Sequence, residues 1–421
     1  GANIVEFDEK ADIYIVNTCS VTNIADKKSR QMLHRARKMN PDGIVIAAGC
    51  YVQSAREILE QDEAIDIVIS NNKKKSITEI VNDYINVRNN EKNAPGKDHE
   101  AMEYFVDISR ETEYEEMGGH VPVGHTRAYV KIQDGCNQFC SYCIIPYVRG
   151  RIRSRSQEAI LAEVSELAEA GIKEVVLTGI HISSYGKDKN NEGALIELIE
   201  AISKIKGIKR IRLGSLEPGI ITEEFVERIS SNSKVCPHFH LSLQSGCDSV
   251  LKRMNRKYTC EQYFEKCDML RKAYKSPALT TDVIVGFPGE TEEEFAETVR
   301  YLTELNLYEM HIFKYSPRKG TVAAAMKEQV APEIKNERSD VLLKLAHDNK
   351  TAYEAQFEGC ELEVLVEEVV KKDNKTYLRG HTERYMDILI DVGDISMPES
   401  FVNSFVYVTY TQNGGNLPLL L

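Results

Sequence analysis

The sequence has no apolar run long enough to cross a membrane, and no signal peptide is recognisable at its start. These absences predict a cytoplasmic protein whose ten cysteines stay reduced, and they favour metal binding over disulfides. Positive charge is also scarce, because 53 Lys and Arg stand against 65 Asp and Glu, for a net charge of −12. This balance argues against a protein that coats nucleic acid non-specifically, although it allows a local basic groove.

The length of 421 residues corresponds to about three domains, and 42% apolar residues are enough to build their cores. In residues 1–97, short apolar runs alternate with longer amphipathic segments, which predicts a parallel sheet wound with helices. Residues 98–121 are polar, so we predict a linker there. The expected strands of the first domain are 12–16, 44–48 and 65–69, and its expected helices are 23–39, 52–61 and 75–85.

In residues 122–352 the alternation returns with six apolar runs and five helical patterns between them. This order predicts a parallel sheet that curls into a partial (β/α)6 barrel, whose functional groups should lie at the carboxyl ends of the strands. The expected strands are 128–133, 174–178, 208–213, 238–243, 279–286 and 309–315. The expected helices are 157–170, 195–206, 223–231, 260–273 and 291–305.

Residues 353–421 consist of β-branched and apolar runs separated by polar turns, which predicts a small antiparallel β-barrel. The expected strands of this module are 362–370, 376–379, 387–392 and 401–409. The fold class expected for the whole chain is therefore α/β, with a parallel α/β domain, a partial barrel and a β-barrel in that order.

Cys136, Cys140 and Cys143 follow the first expected strand of the partial barrel. Three thiolates cannot complete a tetrahedral zinc site, and no fourth ligand lies nearby. An odd number of cysteines in a reducing compartment also argues against disulfides. Three thiolates can instead hold three irons of a 4Fe-4S cluster and leave the fourth iron open to a small molecule.

The segment 134–151, with the three cysteines at this spacing, resembles the radical S-adenosylmethionine superfamily. Segments 17–22, 49–50 and 243–247 are similar to the methylthiotransferases within it. Segments 179–186 and 281–290 are most similar to the branch that acts on threonylcarbamoyl adenosine in tRNA. The resemblance covers essentially the whole chain and implies an N-terminal methylthiotransferase domain, a radical domain and a C-terminal TRAM module.

The resemblance implies an enzyme that uses S-adenosylmethionine and two 4Fe-4S clusters to install a methylthio group on the modified adenosine beside the anticodon. Cys136, Cys140 and Cys143 match the ligands of the first cluster, and Cys19 and Cys50 match two of the three ligands of the second. In the family the third ligand lies near the start of the chain, in a glycine-cysteine turn after the first strand. This sequence has no such turn, so a strand-helix unit of about 25–35 residues is expected to be missing upstream.

Polar residues at the expected strand ends match family motifs that line the cofactor or substrate pocket, although such residues are often only loop caps. Glu217 and Gln244 are the strongest candidates to contact the ribose or the methionine moiety, whereas His181 and His240 are expected to be structural. The residues predicted to bind the cofactor are Thr178, Gly179, Ser215, Glu217, Gln244, Asp282 and Arg318.

Arginine alternates with other residues directly after the cysteine loop, at Arg149, Arg151, Arg153 and Arg155. Such a stripe can neutralise phosphates, so these four residues are predicted to bind RNA. The C-terminal module is less suited to RNA, because residues 353–421 hold 5 Lys or Arg against 12 Asp or Glu. It either contacts RNA through a few cations or serves as a packing domain; the candidate cations are Lys371, Lys372, Lys375 and Arg379.

Two other functions remain open at this stage. One is methylthiolation of a different target, such as isopentenyl adenosine in tRNA or a ribosomal protein. The other is an RNA-binding iron-sulfur protein without turnover, which would not need an open iron. For the enzyme we expect tRNA as partner, an electron donor such as flavodoxin or ferredoxin, no membrane and a monomeric state.

Overall fold

A computed structural model describes residues 2–20, 22–91, 102–118, 125–373, 375–393, 397–411 and 414–416. Contacts divide the chain into two compact units. The first unit comprises Gly1–Gly118, Asp134–Arg153 and Ser316–Ala325, and the second comprises Gly119–Gln133, Ser154–Tyr315 and Met326–Leu421. These units group the segments differently from the boundaries expected after residues 97, 121 and 352, which stay predictions.

The strands and helices alternate through most of the chain. The strands are β1 (Ile13–Thr18), β2 (Ile44–Gly49), β3 (Ile67–Ile69), β4 (Met102–Tyr104), β5 (Arg127–Asp134), β6 (Arg153–Ser154), β7 (Glu174–Gly179), β8 (Arg210–Leu213), β9 (His238–His240), β10 (Ala278–Val285), β11 (Glu309–Lys314), β12 (Glu361–Lys372), β13 (Lys375–Thr382), β14 (Asp387–Asp391), β15 (Phe405–Thr411) and β16 (Gly414–Asn416). The helices are α1 (Asn23–Met39), α2 (Cys50–Ser54), α3 (Arg56–Glu60), α4 (Ile77–Glu91), α5 (Ile145–Val148), α6 (Gln157–Glu169), α7 (Ala194–Ser203), α8 (Glu223–Ser230), α9 (Asp248–Arg253), α10 (Cys260–Ala273), α11 (Glu292–Leu305) and α12 (Pro332–Ala355). Within the described residues, none of these helices has the length and apolar character needed to span a bilayer.

The first unit contains the predicted parallel sheet, in the order β1-β2-β3-β4. All six residues of β2 are buried, because helices cover both faces of the sheet. Helix α1 has the predicted bounds, and the Thr22 side chain caps it by accepting a hydrogen bond from the Ala25 amide. The second predicted helix is instead two short helices, α2 and α3.

The linker predicted over 98–121 lies partly outside the described residues, which omit 92–101 and 119–124. Within its described part, Met102–Tyr104 form strand β4 and pair with β3 in parallel, and the linker itself stays a prediction. Strand β4 has only three residues and lies at the edge of the sheet. Three residues are too few to show the alternation of apolar and polar side chains that marks a strand, so only the pairing with β3 defines β4.

The second unit contains the predicted partial barrel. Strands β5, β7 and β8 pair in parallel, as do β9, β10 and β11, and bridges such as Leu216 to Leu241 connect the two groups. Side chains such as Val283, Val285 and Met310 pack against the helices in the largest core. The alternating residues Asp282 and His311 lie on the opposite, concave face, which the helices do not cover.

Strands β12 to β16 form a closed barrel around a core of their own, as predicted for residues 353–421. Its pairs are antiparallel except for β14 with β16. The last predicted strand begins later than expected, at Phe405, because a short 3-10 helix occupies Pro398–Phe401.

The C-terminal barrel packs against the amino-terminal ends of the partial-barrel strands. Arg127 and Arg210, the first residues of β5 and β8, pair with Glu367 at 2.6 Å and with Glu363 at 3.0 Å. Two acidic residues of the module therefore pair with arginines of the partial barrel, which favours the alternative that the module is a packing domain. Of its candidate RNA contacts, Arg379 is already neutralised by Asp387 at 2.8 Å.

Candidate functional site

The three-cysteine loop begins directly after β5 and belongs to the first unit. Gly135 has a φ of +72°, and a Cβ there would overlap the carbonyl oxygen of Arg151. This close approach lets the Cys136 amide donate to the Gly150 carbonyl at 3.0 Å. The Cys143 amide donates to the Cys140 carbonyl at 2.9 Å, which closes a turn. The backbone of the loop is therefore anchored at both cysteine ends.

Cys19 and Cys50 follow neighbouring parallel strands in the same unit. They come directly after Thr18 and Gly49, which are register partners at the carboxyl ends of β1 and β2. Gly49 has a φ of +108°, and a Cβ there would lie 2.6 Å from the Thr18 carbonyl oxygen. Only glycine fits such an approach without strain, so the turn brings both cysteines to one edge of the sheet. Two thiols at one sheet edge are a suitable partial ligand set for an iron-sulfur cluster.

Arg149 faces this edge and not the solvent. Its Nε donates to Cys50 Sγ at 3.0 Å, and its Nη1 donates to Asp134 at 3.2 Å. Burial alone would lower the pKa of Arg149, but the negative charge of Asp134 and the interaction with Cys50 raise it above its ordinary value. The guanidinium of Arg149 is therefore bonded to these two residues, and its predicted role in binding RNA stays a prediction.

In the second unit, five of the predicted cofactor residues lie at or just after the ends of adjacent strands. Glu217 lies 3.2 Å from His181 and 3.7 Å from Arg256. Burial would raise the pKa of Glu217, but hydrogen bonding to His181 and the charges of His181 and Arg256 hold it below its ordinary value. A carboxylate that stays charged in a half-buried position is a good acceptor for hydroxyl or amino groups of a ligand.

The neighbouring strand ends are equally polar. Ser215 and Ser242 share a hydrogen bond of 2.8 Å between their hydroxyl groups. Gln244 has a φ of +77° and is held by backbone hydrogen bonds to Asp282 and Ile284 on β10. A non-glycine residue in the left-handed region costs about 1–3 kcal/mol and is often found at functional sites. Thr178 and Gly179 end β7, where the Thr178 hydroxyl donates to the Val130 carbonyl at 3.3 Å.

Comparison with known proteins agrees with this arrangement. Residues 130–302 match the Radical SAM superfamily, and residues 1–70 match Uncharacterized protein family UPF0004. A threonylcarbamoyladenosine tRNA methylthiotransferase MtaB of Bacillus subtilis is 39% identical over 91% of this chain and 83% of its own length. The MtaB protein of Aquifex aeolicus is 37% identical over 92% of both chains. The chain belongs to the radical S-adenosylmethionine methylthiotransferase family.

Other members of the family are nearly as similar to this methylthiotransferase. A tRNA-2-methylthio-N(6)-dimethylallyladenosine synthase of Thermoanaerobacter pseudethanolicus is 36% identical over 98% of this chain and 85% of its own length. Among solved structures, the radical S-adenosylmethionine methyltransferase TsrM of Kitasatospora setae matches with a TM-score of 0.57 at 16% identity, covering 75% of this chain and 66% of that one. This structural likeness supports the fold alone. Family membership confirms an enzyme that transfers a methylthio group, and the radical superfamily implies a 4Fe-4S cluster and S-adenosylmethionine.

The arginine stripe predicted in this methylthiotransferase is not one exposed surface. Arg153 is 1% exposed and donates to the carbonyls of Arg149 and Arg151, and Arg155 is buried against Glu163. Only Arg151 is exposed, with its guanidinium 4.7 Å from the centre of the Phe139 ring. Only Arg153–Ser154 are in a strand. The four arginine side chains therefore do not line one face, as they would at alternate positions of a long extended strand. The structure therefore places only Arg151 of these three arginines at an exposed position, and the predicted RNA role of all three stays a prediction.

Arg318 of the methylthiotransferase lies in the first unit with the Cys19 loop. It is 6% exposed and donates to Asn23 at 2.7 Å, to Asp26 at 2.9 Å and to Ser20 at 3.2 Å. These bonds hold Arg318 against the turn and helix that follow Cys19, and its predicted role in cofactor binding stays a prediction.

Sequence reasoning missed several polar residues around the predicted positions. Arg256 pairs with Glu217, and His311 lies opposite Asp282 in the register of β10 and β11. His240 is 3.3 Å from Asp282, and its ring stacks on that of His311. The polar atoms of these two histidines and Asp282 all lie within 4.8 Å of one another. The period-2 pattern of β11 could have indicated His311, whereas no local signal marks Arg256.

Proposed function

We propose that this protein converts N6-threonylcarbamoyladenosine beside the tRNA anticodon to its 2-methylthio derivative, with two 4Fe-4S clusters and S-adenosylmethionine. The observation that carries the proposal is that Cys19, Cys50 and the three cysteines of the loop after β5 all belong to one compact unit. Only one radical cluster is needed to cleave S-adenosylmethionine. The separate pair Cys19 and Cys50 at a sheet edge therefore supports a second cluster and sulfur insertion.

Cys136, Cys140 and Cys143 would hold the first cluster, and Cys19 and Cys50 would supply two ligands of the second. The anchored loop after β5 and the close approach of Gly49 to Thr18 support these assignments, because both place thiols at strand ends without backbone freedom. When bound, the first cluster and S-adenosylmethionine supply a carbon radical that can abstract hydrogen from an unactivated C–H bond.

The polar strand ends of the second unit would bind S-adenosylmethionine. Glu217, kept charged by His181 and Arg256, would accept hydrogen bonds from ribose hydroxyl or amino groups. Gln244 would present its amide from a backbone conformation that β10 holds in place. The other residues proposed to line this pocket are Thr178, Gly179, Ser215 and Asp282.

The polar side chains on the concave face of the partial barrel favour threonylcarbamoyl adenosine over a prenylated adenosine as substrate. His240, Asp282 and His311 gather polar atoms on this face, and an apolar dimethylallyl arm would cover them without offering a hydrogen bond. The hydroxyl, amide and carboxylate groups of a threonylcarbamoyl arm would instead exchange hydrogen bonds with them. The relatives named for this substrate reach 39% identity, and the dimethylallyl relatives reach 36%.

The remaining partners follow from the reaction class. Radical generation needs one electron at a time, so flavodoxin or ferredoxin would serve as donor. The tRNA would be contacted near the exposed Arg151 and the half-exposed ring of Tyr147, which both contact the Phe139 ring. We propose that the protein acts as a monomer in the cytoplasm.

Mass spectrometry of tRNA nucleosides from a deletion strain tests the substrate. We expect loss of the 2-methylthio derivative of threonylcarbamoyl adenosine, with restoration by the intact gene. Unchanged levels of that nucleoside, or loss of the prenylated derivative instead, would overturn the substrate assignment.

Anaerobic assays of the full-length reconstituted protein test the chemistry. We expect reductive cleavage of S-adenosylmethionine that is abolished by Cys140→Ala and kept by Cys360→Ala, which changes an exposed cysteine outside both cysteine groups. Iron analysis should give about eight irons per chain, because two 4Fe-4S clusters hold four each. An absence of cleavage would favour an RNA-binding iron-sulfur protein without turnover.

A further inference from the structure

The side chain of Arg149 connects the two cysteine groups of the first unit. Its Nε contacts the thiol of Cys50, and its Nη1 contacts Asp134, which precedes Cys136 by two residues. One guanidinium thus bonds to a cysteine assigned to the second cluster and to the strand end from which the first cluster loop departs. No other feature of the proposed function accounts for this placement.

The surroundings of Cys50 hold its thiol in one position. Cys50 is 7% exposed and packs against Ile144 and Val148, which belong to the segment after Cys143. The amide of Asn71 lies 3.6 Å from Cys50 Sγ and donates to the Val148 carbonyl at 2.8 Å. Arg149 therefore approaches a thiol that packing and a second donor already orient.

Burial makes the charge of Arg149 effective at this thiol. The side chains of Arg149 and Asp134 are 23% and 10% exposed, so water screens their interaction only partly. Hydrogen bonds to cluster sulfur atoms and nearby positive charge both stabilise the reduced, more negative cluster, and both raise its reduction potential. An N–H donor at 3.0 Å from Cys50 Sγ supplies both effects at once.

We propose that Arg149 is a positioning residue that holds Cys50 as a ligand of the second cluster and raises the reduction potential of that cluster. This inference rests on the proposed function only in assigning Cys50 to a second cluster. It adds a role for a residue whose guanidinium bonds to Cys50 and Asp134. Through Asp134, the same side chain keeps the ligand of the second cluster in register with the loop of the first.

The test is a redox titration of both clusters in the full-length protein, reconstituted anaerobically and followed by electron paramagnetic resonance. The Cys50→Ala variant identifies which signal belongs to the second cluster. In Arg149→Gln we expect the reduction equilibrium of that cluster to become less favourable by about tenfold, which is ~59 mV for one electron, with the first cluster unchanged. The matched control is Arg35→Gln, which removes an exposed arginine of the same unit that pairs with Asp8.

The Arg149→Lys variant separates charge from hydrogen bonding. Lysine keeps the charge but cannot reach Cys50 and Asp134 with separate donors, so we expect a smaller shift in the same direction. If Arg149→Gln does not fold, this comparison alone decides the question, and an unshifted potential in Arg149→Lys overturns the proposed donor role.

The outcomes distinguish this inference from the function on which it rests. About eight irons in both the native protein and Arg149→Gln, with equal potentials, overturns the inference and leaves the proposed function intact. About four irons in the native protein overturns the second cluster and the inference together. Loss of about four irons in Arg149→Gln, with recovery in Arg149→Lys, supports the positioning role.

Discussion

At the scale of single residues, the site depends on backbone positions that only certain residues can occupy. Gly49 and Gly135 allow the chain to pass a carbonyl oxygen at a distance that no Cβ would permit. Gln244 holds a left-handed conformation between two backbone hydrogen bonds to β10. These constraints fix where thiols and amides lie before any cofactor binds.

Replacement of Gly135 by alanine should damage the loop after β5. The added Cβ would overlap the Arg151 carbonyl in a backbone conformation that alanine avoids, at a cost of about 1–3 kcal/mol or more. We expect a lower thermal midpoint and loss of S-adenosylmethionine cleavage. The control is Gly219→Ala, where the new Cβ would meet nothing within 4 Å. Equal midpoints for the two variants would contradict this reading of Gly135.

Glu217→Gln should weaken binding of S-adenosylmethionine. A hydrogen bond to a charged acceptor contributes about 1.5–3 kcal/mol, so we expect a rise in Kd of about tenfold or more. Equilibrium dialysis of the reconstituted protein with labelled S-adenosylmethionine measures the effect. Glu223→Gln, at the exposed start of α8, is the control and should leave Kd unchanged. A native Kd in Glu217→Gln would remove Glu217 from the pocket.

At the scale of elements, the sequence predicted most strands and helices with bounds close to those observed. Helices α1 and α10 have the predicted bounds, and all six barrel strands occur in the predicted order. The failures are local breaks and short elements. Ala55 interrupts the second predicted helix, and β4 is defined by its pairing with β3. Amphipathic periodicity marks elements of ten residues or more, whereas three-residue strands carry too little pattern.

The stability of the interface between the partial barrel and the C-terminal barrel should depend on the charge of Glu174. This carboxylate is 2% exposed and bonds Arg212 at 2.8 Å, while Arg210 lies 3.8 Å away. Removing its charge leaves buried arginines uncompensated, so Glu174→Gln should lower the free energy of unfolding by about 3–5 kcal/mol. Urea unfolding measures this, with Glu166→Gln on the exposed face of α6 as control. A change no larger than that of the control would contradict the prediction.

The same pair predicts how stability depends on pH. Burial would raise the pKa of Glu174, but Arg212, Arg210 and Arg127 hold it below its ordinary value. The contribution of Glu174 is therefore complete above the ordinary glutamate pKa of about 4.3 and is lost as the pH falls toward the folded-state pKa. The native protein should lose more unfolding free energy below that pH than Glu174→Gln does. Parallel pH profiles for the two proteins would show that Glu174 is not held charged.

At the scale of the whole molecule, the acidic balance and the burial of most stripe arginines limit where RNA can bind. The net charge is −12, and of the four predicted arginines only Arg151 is exposed. Several cations of the C-terminal barrel are paired, such as Arg379 with Asp387 and Lys375 with Asp391. Binding should therefore rest on a few local contacts.

Arg151→Gln should weaken tRNA binding and reduce its dependence on salt. Loss of one phosphate contact lowers the slope of log affinity against log salt by about one. Fluorescence anisotropy with labelled tRNA at several salt concentrations measures both quantities. Arg379→Gln serves as the control and should keep the native slope, because Asp387 and Glu368 already neutralise Arg379. An unchanged slope in Arg151→Gln would place the phosphate contacts elsewhere.

The sequence by itself determined the family, the order of the strands and helices, and the spacing of the cysteines in the three-cysteine loop. These features depend on short-range spacing, such as Cys136, Cys140 and Cys143, or on periodicity along one segment. Only the tertiary structure decided what the arginines do. Arg149 and Cys50 are 99 residues apart, and Arg318 and Asp26 are 292 apart, so no local pattern could pair them. The stripe and the strand-end motif predicted surface and cofactor roles, whereas long-range packing assigned Arg149 and Arg318 to the two turns that carry Cys50 and Cys19.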